Sequence, residues 1–123
     1  MKNILVVDDE PDILRLYSSE LEDEGYRVRV ASDGEEAERI VNSESVDLVI
    51  LDIKMQKKDG LATLTQLKKI KKDLPIVLNS AYPVFKSDFQ SWLADYYVVK
   101  SSNLEELKGK INHIFKYDKG SKN

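Results

Sequence analysis

The sequence predicts an α/β domain built on an open, parallel β-sheet. Three observations predict it. Short apolar runs alternate with amphipathic stretches along the whole chain. The third run, Val46–Leu51 (VDLVIL), is apolar nearly throughout, as a strand covered on both faces is. Helix start and stop signals fall between the runs, not within them.

Asn3–Val7 (NILVV) is the first strand. Pro11–Glu24 follows as a helix, with Ile13, Leu14, Tyr17 and Leu21 at helical spacing. Pro11 suits a first helical turn, where its missing N–H costs nothing. Gly25 stops the helix. Tyr26–Ala31 (YRVRVA) alternates, as a strand with one exposed face does. Ser32 and Glu35 stand three apart and read as a capping box for a helix carrying Ala37, Ile40 and Val41. Val46–Leu51 comes next, and Asp59-Gly60 opens a helix marked by Leu61, Leu64, Leu67 and Ile70. Pro75–Asn79 (PIVLN) is the fourth strand. Val84–Leu93 reads as a helix with Phe85, Phe89 and Trp92 on one face. Tyr96–Val99 (YYVV) is the fifth strand. Ser102 and Glu105 form a second capping box, for a last helix with Leu104, Leu107, Ile111, Ile114 and Phe115 turned inward. The right-handed crossover rule leaves few topologies, and the expected one is a flavodoxin-like, doubly wound (βα)5 sheet with strand order 2-1-3-4-5.

The chain has 123 residues, the size of one domain. Residues 1–117 are expected to form it and 118–123 to be a polar tail. The chain has no cysteine, which excludes disulfides, thiolate metal sites and cysteine nucleophiles. No apolar run approaches the ~20 residues of a membrane span, and no secretory signal opens the chain. The expectation is a cytoplasmic protein with no membrane partner. Residues 1–60 hold 8 basic and 16 acidic side chains, a balance of −8; residues 61–123 hold 11 and 6, a balance of +5. Lys68, Lys69, Lys71 and Lys72 crowd a predicted helix end, where cations suit the dipole. An acidic chain without a basic-aromatic stripe is not expected to bind nucleic acid.

In such sheets ligands sit beyond the carboxyl ends of the strands. Here those ends carry Asp8-Asp9, Asp52, Ser80-Ala81 and Lys100-Ser101. Three clustered carboxylates either share protons or hold a cation. An all-oxygen site suits Mg²⁺, or Mn²⁺ in its place. A divalent cation beside a lysine would attract a phosphoryl group, and a carboxylate can itself be the nucleophile. A single strand-end Asp is more often a helix cap, and Asp9 or Glu10 can cap the first helix. Capping does not explain a lysine facing three carboxylates. His113 reads as a surface residue of the last helix.

Four motifs together resemble the receiver domains of two-component response regulators. They are Val7-Asp8-Asp9-Glu10-Pro11, Leu51-Asp52-Ile53-Lys54-Met55 with Asp59-Gly60, Asn79-Ser80-Ala81, and Tyr97-Val98-Val99-Lys100. The resemblance implies that Asp52 accepts a phosphoryl group from a histidine kinase or a histidine phosphotransfer protein. It implies a Mg²⁺ (or Mn²⁺) site formed by Asp8, Asp9, Asp52 and the backbone carbonyl of Lys54. Lys100 and Ser80 would contact phosphoryl oxygens, Ser80 and Tyr97 would form the switch, and Ala81 would leave the pocket accessible. The implied protein is a signalling phosphoacceptor, not an enzyme in the ordinary sense, and a stand-alone receiver. It would be a monomer or weak phosphorylation-dependent dimer, acting on an unnamed output partner. The alternative is a degenerate receiver that only binds proteins. An Asp-nucleophile phosphatase is disfavoured, because that chemistry wants Asp-x-Asp where this chain has Asp8-Asp9-Glu10. Nucleotide binding is disfavoured by the absence of a glycine-rich phosphate loop.

The chain also departs from the family pattern. Gln56 and Ser101 stand where prolines are usual, Leu93 stands where a glycine is usual, and the stretch from Ser80 to Lys100 is short. A Lys-Ser bond prefers trans by ~2.5–4 kcal/mol. The Lys100–Ser101 bond is therefore expected to be trans, with the long lysine stem still reaching the acidic site.

Overall fold

The computed structural model describes residues 1–52, 59–81, 96–101 and 103–117. Strands β1 (Asn3–Val7), β2 (Arg27–Ala31), β3 (Leu48–Asp52), β4 (Ile76–Ser80) and β5 (Tyr96–Val99) form one sheet in the order β2-β1-β3-β4-β5. Every pairing is parallel. Four helices accompany them among the described residues: α1 (Pro11–Asp23), α2 (Gly34–Ser43), α3 (Asp59–Ile70) and α4 (Glu105–Tyr117). The fold is the flavodoxin-like one expected. The helix expected over 84–93, with Phe85, Phe89 and Trp92, lies outside the described residues, as do Gln56, Leu93 and the tail from 118.

Helices cover both faces of the sheet, and the period-2 geometry of strands sorts the core in two. Leu5, Val7, Val49, Leu51, Ile76 and Leu78 pack with Ala37, Ile40, Leu64 and Leu67 of α2 and α3. Ile4, Val6, Leu48, Ile50, Val77 and Val98 pack with Tyr17 and Leu21 of α1 and with Leu107 and Ile111 of α4. β3 and β4 are buried along their whole length, while the edge strand β2 is mostly exposed.

Local signals explain most element ends. α1 begins with Pro11 and ends in a Schellman motif: Tyr26 N–H donates to the Leu21 carbonyl (3.2 Å) and Gly25 N–H to that of Glu22 (3.0 Å). Gly25 takes φ +97°, which its lack of a Cβ permits. Glu10 occupies the N-cap position of α1 but makes no side-chain cap.

One cap differs from the expected box, and the other expected box falls partly outside the described residues. The N-cap of α2 is Asp33, whose Oδ1 accepts from Glu36 N–H at 2.8 Å. Ser32 lies one residue outside, and Glu36 Oε1 accepts its N–H at 2.9 Å. At α4 the cap is made by Asn103, whose Oδ1 accepts from Glu105 N–H at 2.8 Å. Ser102 lies outside the described residues.

β3 starts at Leu48, not Val46, because Asp47 turns to the start of β1 and its Oδ2 accepts from Asn3 N–H at 2.7 Å. Two of the lysines near the end of α3 do more than suit a dipole. Lys68 Nζ donates to the Leu74 carbonyl (2.8 Å) and Lys71 Nζ to that of Val46 (3.3 Å).

Candidate functional site

Strand parity brings the charged residues together. Ile4 and Val6, Leu48 and Ile50, and Val98 all face α1 and α4. Continuing each strand by two places puts Asp8, Asp52 and Lys100 on that same side. The ladder carries the backbone this far: Asp8 N–H donates to the Ala31 carbonyl (3.0 Å) and Lys100 N–H to that of Ser80 (2.6 Å). Asp8 and Asp52 are both buried.

Lys100 Nζ lies 2.8 Å from Asp8 Oδ2, 3.2 Å from Asp52 Oδ1 and 3.9 Å from Glu10 Oε1. Its side chain is 14 % exposed. Asp8 Oδ1 accepts from Glu10 N–H at 2.9 Å, so Asp8 ties the lysine to the β1–α1 turn. Burial pushes the Lys100 ammonium down. The hydrogen bond to Asp8, the charges of Asp52 and Asp8 and the hydrogen bond to Asp52 outweigh that, and its pKa is raised above the ordinary lysine value. The Lys100–Ser101 bond is trans.

Asp9 is exposed on the loop above. One carboxylate oxygen from each of Asp8, Asp9 and Asp52 lies within 4.8 Å of the others. This all-oxygen donor set, open on the Asp9 side, fits Mg²⁺ or Mn²⁺. Lys54, whose carbonyl the resemblance adds to the set, lies outside the described residues.

The hydroxyl residues are on the other side of the sheet end. Ile76 and Leu78 pack towards α2 and α3, and Ser80 continues their row. Ser80 is buried and hydrogen-bonds the Tyr97 hydroxyl. Tyr97 is half-buried against the α2–α3 face of the core. Burial raises its pKa, and the Ser80 hydrogen bond partly offsets this. Ala81 is exposed. His113 is also exposed, on α4, its ring 4.9 Å from that of Tyr117.

Three residues near the site take partners there that no motif foretells. Glu10, read as a possible cap and as a member of the first motif, faces Lys100. Tyr17, read as part of an apolar stripe, is fully buried and accepts a 2.7 Å hydrogen bond from Asn79 Nδ2. Burial raises the Tyr17 pKa, and the hydroxyl feels the charges of Lys100, Asp8 and Asp52. Asn79 opens the Asn79-Ser80-Ala81 motif, but for its bond to Tyr17 only its polarity inside an apolar run is a signal.

Comparison with known proteins places this arrangement. Residues 4–112 match the response regulator receiver domain family. The alkaline phosphatase synthesis transcriptional regulatory protein PhoP of Bacillus subtilis is 37% identical over 120 residues, 94% of this chain and 49% of that protein. A probable transcriptional regulator, ycf27, of Porphyridium aerugineum is 39% identical over 126 residues, 99% of this chain and 52% of that protein. The chain thus spans about half the length of these relatives. The response regulator TrrA of Thermotoga maritima, solved in complex with Mg²⁺-BeF, is 50% identical with a TM-score of 0.85, over 93% of this chain and 99% of TrrA. TrrA has also been solved in complex with the histidine kinase ThkA, and there the TM-score is 0.84. Among the described residues no helix is long and apolar enough to cross a membrane. By its matched sequence, its strand order and its structural neighbours, the chain belongs to the response regulator receiver domains of two-component systems.

Proposed function

We propose that this domain is a phosphoryl-accepting switch, with Asp52 as the acceptor and a histidine kinase or histidine phosphotransfer protein as the donor. The observation that carries the reading is the ion pairing of one buried lysine with both Asp8 and Asp52, beside a third carboxylate. A carboxylate oxygen of Asp52 attacks the phosphorus of a phosphohistidine. The P–N bond breaks, its electron pair stays with the imidazole, and an acyl phosphate forms on Asp52. Lys100 balances charge that gathers on the phosphoryl oxygens. Asp8, Asp9 and Asp52, with the Lys54 carbonyl, would hold Mg²⁺ or Mn²⁺, which when bound draws negative charge off the phosphoryl group.

Ser80 and Tyr97 would report the new charge to the α2–α3 face through their hydrogen bond. Ala81 leaves room beside Ser80. On this reading residues 1–117 are the signalling unit and work in the cytoplasm. The TrrA structures, with Mg²⁺-BeF and with a histidine kinase, support carrying both the metal and the donor class to this chain.

The test is labelling with a small phosphoryl donor such as phosphoramidate, followed by mass spectrometry. One phosphoryl group is expected on Asp52 in the presence of Mg²⁺, and none after EDTA or in Asp52→Asn. Labelling that survives both treatments would refute the assignment.

A further inference from the structure

Asn79 is a polar residue in a place that favours an apolar one. It follows Ile76-Val77-Leu78 in a strand buried on both faces and is 2% exposed. Its partner, the Tyr17 hydroxyl, comes from a helix 62 residues away in sequence. Among the described residues the other end of the amide, Oδ1, is buried without a hydrogen bond. A native protein retains few such groups, and each calls for a reason. Stability does not supply one, because two apolar side chains of similar shape could fill this space without desolvating an amide and a phenol.

Position supplies one. In the sheet register Asn79 stands directly beside Asp52. The next residue is Ser80, whose side chain goes to the opposite face and whose carbonyl accepts the Lys100 N–H. The strand end that presents Ser80 and borders Asp52 is therefore held from one side by Tyr17 and from the other by Tyr97. α1, which carries Tyr17, starts at the turn that Asp8 secures. Freeing the Asn79 amide gives a mobile dipole beside the Asp52 carboxylate and loosens the strand end.

We propose that Tyr17 and Asn79 are positioning residues of the carboxylate–lysine site, fixing the site end of β4 to α1 so that Asp52 and Ser80 are held ready for phosphoryl transfer. The proposal rests on the reading of Asp52 as the acceptor. Both residues act through Asp52 and Ser80.

Three variants test it: Tyr17→Phe, Asn79→Leu and the double variant, each assayed well below its melting temperature. Phosphoramidate labelling of Tyr17→Phe at saturating Mg²⁺ is expected to slow by about fivefold, the equivalent of one hydrogen bond. The double variant is expected to regain thermal stability, since no buried amide is left unpaired, and to stay slow. A labelling rate in Tyr17→Phe within about twofold of the parent overturns the proposal. So does a double variant that regains stability and rate together, which is the signature of a merely structural pair. If the parent itself takes no label, the reading of Asp52 is what fails. The positioning claim is then decided by the carboxyl ¹³C resonances of Asp8 and Asp52 in metal-free protein. Resonances that move in Tyr17→Phe uphold it, and unmoved ones overturn it.

Discussion

Lys100 is held closer to Asp8 than to Asp52, at 2.8 Å against 3.2 Å. Asp8 is also fixed at its other oxygen by the Glu10 N–H. The lysine is therefore anchored mainly by a residue that is itself held, and Asp52 is engaged from the side. Removing the ammonium leaves two buried carboxylates with a third beside them. Lys100→Met is predicted to destabilise the metal-free domain by about 1–3 kcal/mol in urea unfolding, less than the ~3–5 of a fully enclosed pair, because the Asp9 side is open. The pH dependence has a definite sign. The folded-state pKa of Lys100 lies above the ordinary 10.5, so its contribution is complete below that value and fades as pH rises through the folded value. The gap between parent and variant should be flat in lysine titration near pH 8 and shrink only as pH climbs past the ordinary lysine value of 10.5. Equal stabilities at neutral pH would show that the ion pairs contribute nothing.

Divalent metal is predicted to raise the melting temperature. Lys100 pairs with Asp8 and Asp52, but three carboxylates with oxygens within 4.8 Å of one another still carry excess negative charge when no metal is bound. A ligand bound only by the folded state adds RT ln(1 + [L]/Kd), about 2.7 kcal/mol at 100 Kd. Asp9→Ala should lose most of this response while melting no lower than the parent without metal, since Asp9 is exposed and its removal relieves repulsion. A scanning-fluorimetry series over Mg²⁺ concentration decides it. A parent melting temperature indifferent to Mg²⁺ would count against a metal site at these residues.

Much of this architecture was legible because it depends on local periodicity. β1 and β5 fall on the residues expected, and β4 and α1 differ by one residue at their ends. The convergence of Asp8, Asp52 and Lys100 was legible too, because parallel strands align their carboxyl ends along one edge. The α2 cap was ambiguous for a definite reason. Ser32/Glu35 and Asp33/Glu36 offer the same three-residue spacing in adjacent frames. Only the structure shows that Asp33 caps while Glu36 reaches back to Ser32. The Tyr17–Asn79 bond was not legible, because it links residues 62 apart that each sit inside an apolar pattern. Such a pairing depends on which helix face covers which strand.

Gly25 is predicted to resist substitution for backbone reasons alone. Its φ is +97°, and a Cβ built there would meet nothing within 4 Å. Gly25→Ala should therefore cost about 1–2 kcal/mol, the left-handed penalty, with no steric component. Gly25→Asn should cost less, since Asn tolerates this region better. Urea unfolding of the two variants checks the order. A neutral alanine would mean that the Schellman turn at Gly25 can relax to negative φ.

Gly34 presents the opposite case, and its outcome depends on one neighbour. It is the first residue of α2, with no positive φ, so the backbone accepts alanine. Helix propensity alone would favour alanine by up to ~1 kcal/mol. A Cβ on Gly34, however, overlaps Thr63 Oγ1 on α3, and Thr63 is buried. A β-branched side chain in a packed interface has little freedom to turn aside. Packing is therefore expected to outweigh propensity, and Gly34→Ala should destabilise by about 1–3 kcal/mol. Thr63→Ala removes the atom in the way at the expense of a small void. In the double variant the new methyl occupies part of that void. The double should be more stable than the sum of the singles predicts, with a favourable coupling of about 1–2 kcal/mol. Four urea titrations, of the parent, both singles and the double, measure that coupling directly. Strict additivity would show that α2 and α3 part at this point without strain, and that the close approach of Gly34 to Thr63 does not set the distance between the two helices.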